Sequence, residues 1–145
     1  MTVGREILQW LDGFALCVQE KDFRRGRAYF HPKAYCFGSY ARACVGLNAL
    51  MVRQWKQIWP NITAFRFRMD NLRVRVSEDG RLACVMALWH SIGYRISGAP
   101  FRRDGRVTIV LTRAARRQRW LALHTHYSLI PGTPQTNVKR RRARA

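Results

Sequence analysis

Between Gly105 and Ser128 the chain reads GRVTIVLTRAARRQRWLALHTHYS. Two apolar–polar alternations flank an arginine-rich break, and a period of two marks a strand with one buried face. Two such runs joined by a polar turn predict a long antiparallel hairpin. In its first strand Val107, Ile109 and Leu111 share the core face, opposite Arg106, Thr108, Val110 and Thr112. In the second, Leu121, Leu123, Thr125 and Tyr127 make the better core set, which turns Trp120, Ala122, His124, His126 and Ser128 outward.

A hairpin this apolar on one face needs something to cover it, and the N-terminal half supplies helices. Ile7, Leu11, Phe14 and Val18 fall at helical spacing within residues 5–20, with Leu8 and Ala15 widening the stripe. Asp22 is placed to cap a second helix over 22–30, which stops before His31-Pro32. Residues 34–40 read as a short aromatic strand. A third helix over 47–59 buries Leu47, Met51, Trp55 and Ile58 and ends at Pro60. Residues 62–77 alternate with a slip: Phe65, Phe67 and Met69 have one parity, Leu72, Val74 and Val76 the other. A bulge at Asp70-Asn71 restores all six to one face and sends Arg66, Arg68, Arg73 and Arg75 to the opposite one. Glu78-Asp79-Gly80 predicts a hairpin turn, residues 82–96 a long strand, and Arg103-Asp104-Gly105 the next turn. Helices first and antiparallel strands after give an α+β chain with a curled sheet wrapped around its helices. The expected division is one domain over 1–130 and a disordered basic tail over 131–145.

Composition narrows the partners. With 27 Lys and Arg against 8 acids the net charge is +19, and five of those positive charges lie in residues 139–144. A surface this basic attracts polyanions in a salt-dependent way, or simply stays soluble by repulsion. No apolar run approaches the ~20 residues of a membrane span, and the N-terminus lacks a leader pattern, so the expected location is cytoplasmic, with no membrane partner. Cys17, Cys36, Cys44 and Cys84 form no C-x-x-C pair and sit among apolar residues, as reduced thiols do.

Several segments then carry a resemblance. The helix ending in Trp59-Pro60, Phe37-Gly38-Ser39 after Phe30-His31-Pro32, the strand starting at Ala83 and the Gly105-Arg106-Val107-Thr108 run are among them. So is Trp120 followed by His124-Thr125-His126-Tyr127-Ser128. Together they resemble the SnoaL-like branch of the nuclear transport factor 2-like, or ketosteroid isomerase-like, superfamily. The W-x-x-x-H-x-H-x-S ending is similar to the association domain of calcium/calmodulin-dependent kinase. The resemblance spans residues 5–130 and implies a cystatin-like cone with a cavity inside. It also implies that Val85, Ala87 and Trp89 face inward while Cys84, Met86, Leu88 and His90 face outward.

An inward set of this kind gives an aromatic ligand-binding pocket lined by Phe37, Trp55, Trp59, Trp89, Ile109 and Tyr127. The outer face carries Met86, Leu88, Trp120, His124 and His126, too apolar for water, and is expected to be a homodimer interface. The family's isomerases and cyclases use a pocket carboxylate as base, but none of the eight acids here falls on an inward strand position; Asp12 alone approaches a pocket mouth. His124 and His126 point the same way without a third ligand, so no metal and no cofactor are expected. His31 reads as a helix-end residue. The leading expectation is therefore a non-catalytic or weakly catalytic domain that binds a small apolar molecule. Two alternatives stay open: an isomerase- or cyclase-like enzyme, and a basic module that binds nucleic acid or an acidic protein. Anion contacts would then come from Arg66, Arg68, Arg73 and Arg75 and from the tail.

Overall fold

Thr2 starts the first helix, α1 (Val3–Glu20), by accepting the Arg5 N–H on its hydroxyl at 3.2 Å. Ile7, Trp10, Leu11, Phe14 and Val18 are buried along one face, whereas Leu8, expected to widen that face, is exposed. Lys21 ends the helix in the left-handed conformation and returns its N–H to the Cys17 and Val18 carbonyls. The computed structural model describes residues 1–134, so most of the expected tail, from residue 135 on, lies outside the described residues.

α2 (Phe23–Arg27) is capped by Asp22, whose carboxylate accepts the Arg25 N–H at 3.0 Å. It is shorter than the expected 22–30. The expected strand over 34–40 shrinks to β1 (Tyr35–Cys36), paired with β2 (Cys44–Val45). The reason is that the backbone around it bonds elsewhere: Tyr29, His31 and Phe37 pair with the last strand through Ala122, Thr125 and Tyr127.

The third helix begins as α3 (Leu47–Leu50), widens into a π-turn at Met51–Trp55, resumes as α4 (Lys56–Ile58) and closes in a 3-10 turn at Trp59–Asn61. The wider turn shifts the buried stripe. Leu47, Trp55 and Ile58 remain inside, Met51 is half-buried, and Leu50 and Gln54 join the interior. Trp55 and Trp59 stack at 4.6 Å, Phe30 packs edge-on against Trp55, and Phe14 packs against it at a tilt.

The sheet comprises β3 (Thr63–Val76), β4 (Leu82–Tyr94), β5 (Pro100–Arg102), β6 (Gly105–Thr112) and β7 (Leu121–Leu129). Its order is β3-β4-β6-β7, with β5 also on β4, and every pairing is antiparallel. The expected slip in β3 is present: the register with β4 shifts between Arg68 and Arg73. Phe65 and Phe67 are buried, Leu72 and Val74 are half-buried against the core, and Met69 and Val76 are exposed. A second irregularity near Ala64, at φ 57°, was not legible from the alternation.

Two expectations are corrected. Arg103-Asp104-Gly105 is not a turn. The chain reverses earlier, around Gly98 at φ 88°, and Arg103 exchanges both backbone hydrogen bonds with Ser91 at 2.8 and 2.9 Å. β5 and β6 thus continue one register along β4, from Pro100 opposite Tyr94 to Thr112 opposite Leu82. The second correction concerns β7. A bulge at Leu123 changes the register between Val110 and Leu111, so the parity inverts there. Thr125 stays inward as expected, but Trp120 and Ala122 are buried instead of outward, and Leu123 is exposed.

Trp120 lies beneath the buried guanidinium of Arg113, 4.0 Å from its ring centroid. Glu6 Oε2 accepts from both, from Arg113 Nη1 at 2.8 Å and from Trp120 Nε1 at 3.0 Å, and Arg113 Nε donates to the Gly80 carbonyl. This cluster fastens α1 to the sheet. Removing the carboxylate leaves a buried cation unpaired, which costs far more than losing an exposed pair. Glu6→Ala is therefore expected to lower stability by about 2–4 kcal/mol. Glu20→Ala, which loses only the exposed contact to Arg25, should change it by less than about 1 kcal/mol. Urea unfolding midpoints at constant slope measure both, and equal effects would show that the cluster is not a fastening point.

Gly105 sits opposite Trp89, and a methyl added there would meet the Trp89 ring and the Ser128 carbonyl. Gly105→Ala is expected to destabilise the fold by about 2 kcal/mol or more, in the range of core overpacking, and near-ultraviolet circular dichroism should report the displaced indole.

Candidate binding cavity

The continuous β5–β6 register decides what faces the interior at the open end of the sheet. Counting back from Leu111, Ile109 and Val107, the same face holds Gly105 and then Arg103. The Arg103 side chain is 2% exposed. It lies over Trp89, 5.4 Å from the ring centroid, and its Nη2 donates to Ser39 Oγ at 2.9 Å. Its Nε–H has no partner. Among the described residues no carboxylate lies within ion-pairing distance of it. Asp104, the next residue, faces the other way and binds His90 Nδ1 at 2.6 Å and Arg102 Nη2 at 2.8 Å. Burial pulls the Arg103 guanidinium down to about 10, which still leaves it cationic at neutral pH.

Gln54, turned inward by the π-turn, holds the loop on the far side. Its amide oxygen accepts the N–H groups of Tyr40 (3.2 Å) and Ala41 (2.8 Å), and its Nε2 donates to Ser39 Oγ at 3.0 Å. Gly38 makes room for this amide, since a Cβ there would run into it. Ser39 Oγ thus accepts twice, and its own hydrogen is left to donate.

Between these groups lies a cavity of about 40 Å³. Its walls are aromatic: Trp55 and Trp59 from the third helix, Trp89 from β4, Phe14 from α1 and Tyr127 from β7. The Tyr127 hydroxyl is buried and unpartnered. Burial, with the Cys36 thiol nearby, pushes its ionisation above the ordinary phenol range, so it remains a neutral O–H donor. Among the described residues that line the cavity there is no Asp, Glu or His. The described lining is an aromatic wall with the donors of Arg103 and Tyr127 and the polar side chains of Ser39, Gln54 and Thr125.

The residues expected to line a pocket divide accordingly. Trp55, Trp59, Trp89 and Tyr127 meet at the cavity, while Ile109 is buried away from its wall. Phe37 is outside it, packed edge-on between His124 (5.2 Å) and His126 (5.3 Å). His124 Nδ1 is bonded to the Tyr35 carbonyl, and among the described residues no group of three metal-ligating side chains occurs. Asp12 is exposed, and His31 Nδ1 accepts the Lys33 N–H at 3.0 Å, as suits a helix-end residue. Met86 and Leu88 lie on the outer face of the sheet, in cross-strand rows with Thr108–His126 and Arg106–Ser128. Trp120, grouped with them from its parity, belongs to the interior. Arg66, Arg68, Arg73 and Arg75 share the outer face, opposite His90, Leu88, Met86 and Cys84. Arg103, Gln54 and Ser39 were not anticipated. Carrying the β6 parity back two residues past Gly105 would have found the first.

The fold agrees with those of known proteins. A structure of a ketosteroid isomerase-like protein from Erwinia carotovora atroseptica is 14% identical, covers 90% of this chain and 96% of its own, and superposes with a TM-score of 0.73. A nuclear transport factor 2-like superfamily protein from Salmonella enterica is 18% identical over 90% of this chain and 92% of its own, with a TM-score of 0.72. The association domain of CaMKII from C. elegans is 17% identical over 86% and 94%, with a TM-score of 0.64. At these identities the likeness is one of fold. No curated protein sequence matches the chain. The model of the SnoaL-like domain matches residues 7–132, and the chain belongs to that family.

Proposed function

We propose that this chain is a dimer-forming domain that binds a small molecule in its aromatic cavity without a proton-transfer reaction of its own. The observation that carries this reading is the cavity wall. Trp55, Trp59 and Trp89 supply apolar contact, Tyr127 and Arg103 supply donors, and no carboxylate or imidazole of the described residues opens into it. An isomerase or cyclase that moves a proton by general base catalysis needs such an acceptor within hydrogen-bond reach of its substrate.

The dimer reading rests on the outer face of β4, β6 and β7. Leu82, Thr112 and Leu121 form one cross-strand row, Cys84, Val110 and His124 the next, and Met86, Thr108 and His126 a third. Leu82, Met86 and Leu123 are each more than a third exposed. A sheet face that sets exposed apolar side chains among threonines and histidines fits a self-complementary interface. The arginine stripe favours no nucleic-acid groove: Arg73 and Arg75 donate to the Leu72 and Val74 carbonyls of their own strand, and Arg68 pairs with Asp70.

Native mass spectrometry of the full chain tests both parts. A dimer carrying an extra small mass that leaves on denaturation is expected. Trp59→Ala should remove that mass from a folded protein, and Met86→Arg should give monomers in sedimentation velocity at micromolar concentration. A ligand-free protein in every preparation that also turns over a ketosteroid or polyketide probe would overturn the binding reading. A Met86→Arg variant that stays dimeric would move the interface elsewhere.

A further inference from the structure

We infer that the cavity binds a small carboxylate, held by Arg103, Tyr127 and Ser39, with a short apolar stub against the tryptophans. This rests on reading the cavity as a binding site and names the chemistry of its occupant.

Three observations carry it independently. The first is charge. Arg103 is a buried cation without an acid in reach, and a buried charge is costly unless it is paired. The other buried arginine among the described residues, Arg113, has its carboxylate at 2.8 Å. The fold therefore satisfies one such group internally and leaves the other facing a cavity.

The second is the sign of the hydrogen-bond groups. Arg103 Nε–H and Tyr127 O–H are buried donors without acceptors. The Ser39 hydroxyl already accepts from Gln54 and Arg103, so only its hydrogen remains to offer. The Gln54 oxygen is occupied by two backbone N–H groups. The Thr125 hydroxyl, also on the wall, is bonded to Cys36. A neutral amide or alcohol brings a donor of its own to a wall dominated by free donors, whereas a carboxylate is acceptor-only and takes several N–H and O–H donors at once. The guanidinium fork suits two oxygens in one plane.

The third is size. A cavity of about 40 Å³ holds about three waters. That is room for a molecule of about four or five heavy atoms, such as acetate or propionate, and too little for a steroid or polyketide skeleton without movement of the walls. The stub is apolar because the remaining wall is aromatic.

Sodium acetate and sodium propionate are the probes, against acetamide, propionamide and sodium chloride at matched ionic strength, with the full-length chain. Ligand-observed NMR and thermal shift are the readouts. Propionate is expected to bind saturably, propionamide at least tenfold more weakly, and chloride to give no saturable shift. Arg103→Gln should abolish carboxylate binding, and Tyr127→Phe should weaken it severalfold. If Arg103→Gln does not fold, the acid–amide comparison and Tyr127→Phe still decide the matter. Acids and amides binding alike, with both lost in Trp59→Ala, would overturn the carboxylate assignment and leave the binding cavity standing. Neither binding would overturn both. Propionate binding that survives Arg103→Gln would place the anion on the basic surface and also overturn it.

Discussion

Trp89 lies across Gly105, and that single contact sets the geometry of the sheet's open end. The missing side chain lets the indole lie flat on β6, where its Nε1–H reaches the Arg106 carbonyl at 3.1 Å. The flattened indole then forms one wall of the cavity and the surface over which Arg103 rests. With a larger residue at 105 the ring would have to lift, and the wall, the guanidinium and the register between them would all move. One glycine thus positions an aromatic wall and a cation in the same step.

The two buried arginines show what burial asks of a charge. Arg113 has a carboxylate, a carbonyl and an indole face, and it joins α1 to the β4–β6 region. Arg103 has a hydroxyl and an indole face only. The first is a complete structural cluster; the second is incomplete in charge and in hydrogen bonding. Both stand on the inner side of the sheet, Arg103 just before β6 and Arg113 just after it, so the contrast does not come from different backbones.

Much of this was legible in the chain. Period-two alternation located β3, β4, β6 and β7, and helical spacing located α1 and the third helix. The parity of Val107, Ile109 and Leu111 held through to the core. Three local deviations hid the rest. Asp104-Gly105 has the look of a turn, yet tertiary pairing with Ser91 kept the strand extended and placed Arg103 inside. A bulge at Leu123 exchanged the faces of β7 midway, so Trp120 was assigned to the wrong side. A π-turn rotated Gln54 inward, where a regular helix would have left it at the edge of the stripe. The bulge and the π-turn each insert one residue without a break in the apolar pattern to mark it, and the false turn is a local signal that tertiary pairing overrides. Trp89 escaped this because it lies within a regular stretch and Tyr127 because it lies past the bulge, while Trp55, at the end of the π-turn, and Trp59, just beyond it, still face inward.

The two margins of the sheet are unlike. Along β7 the chain covers its own edge, with Tyr29, His31 and Phe37 bonded to that strand's backbone. β3 has β4 on one side and, among the described residues, no strand on the other. A sheet that grows needs two free margins, one to accept and one to offer. Among the described residues β3 is the long margin without a neighbour, so pairing β3 with β3 joins two copies. An assembly built on that pairing alone is a closed pair, not a filament.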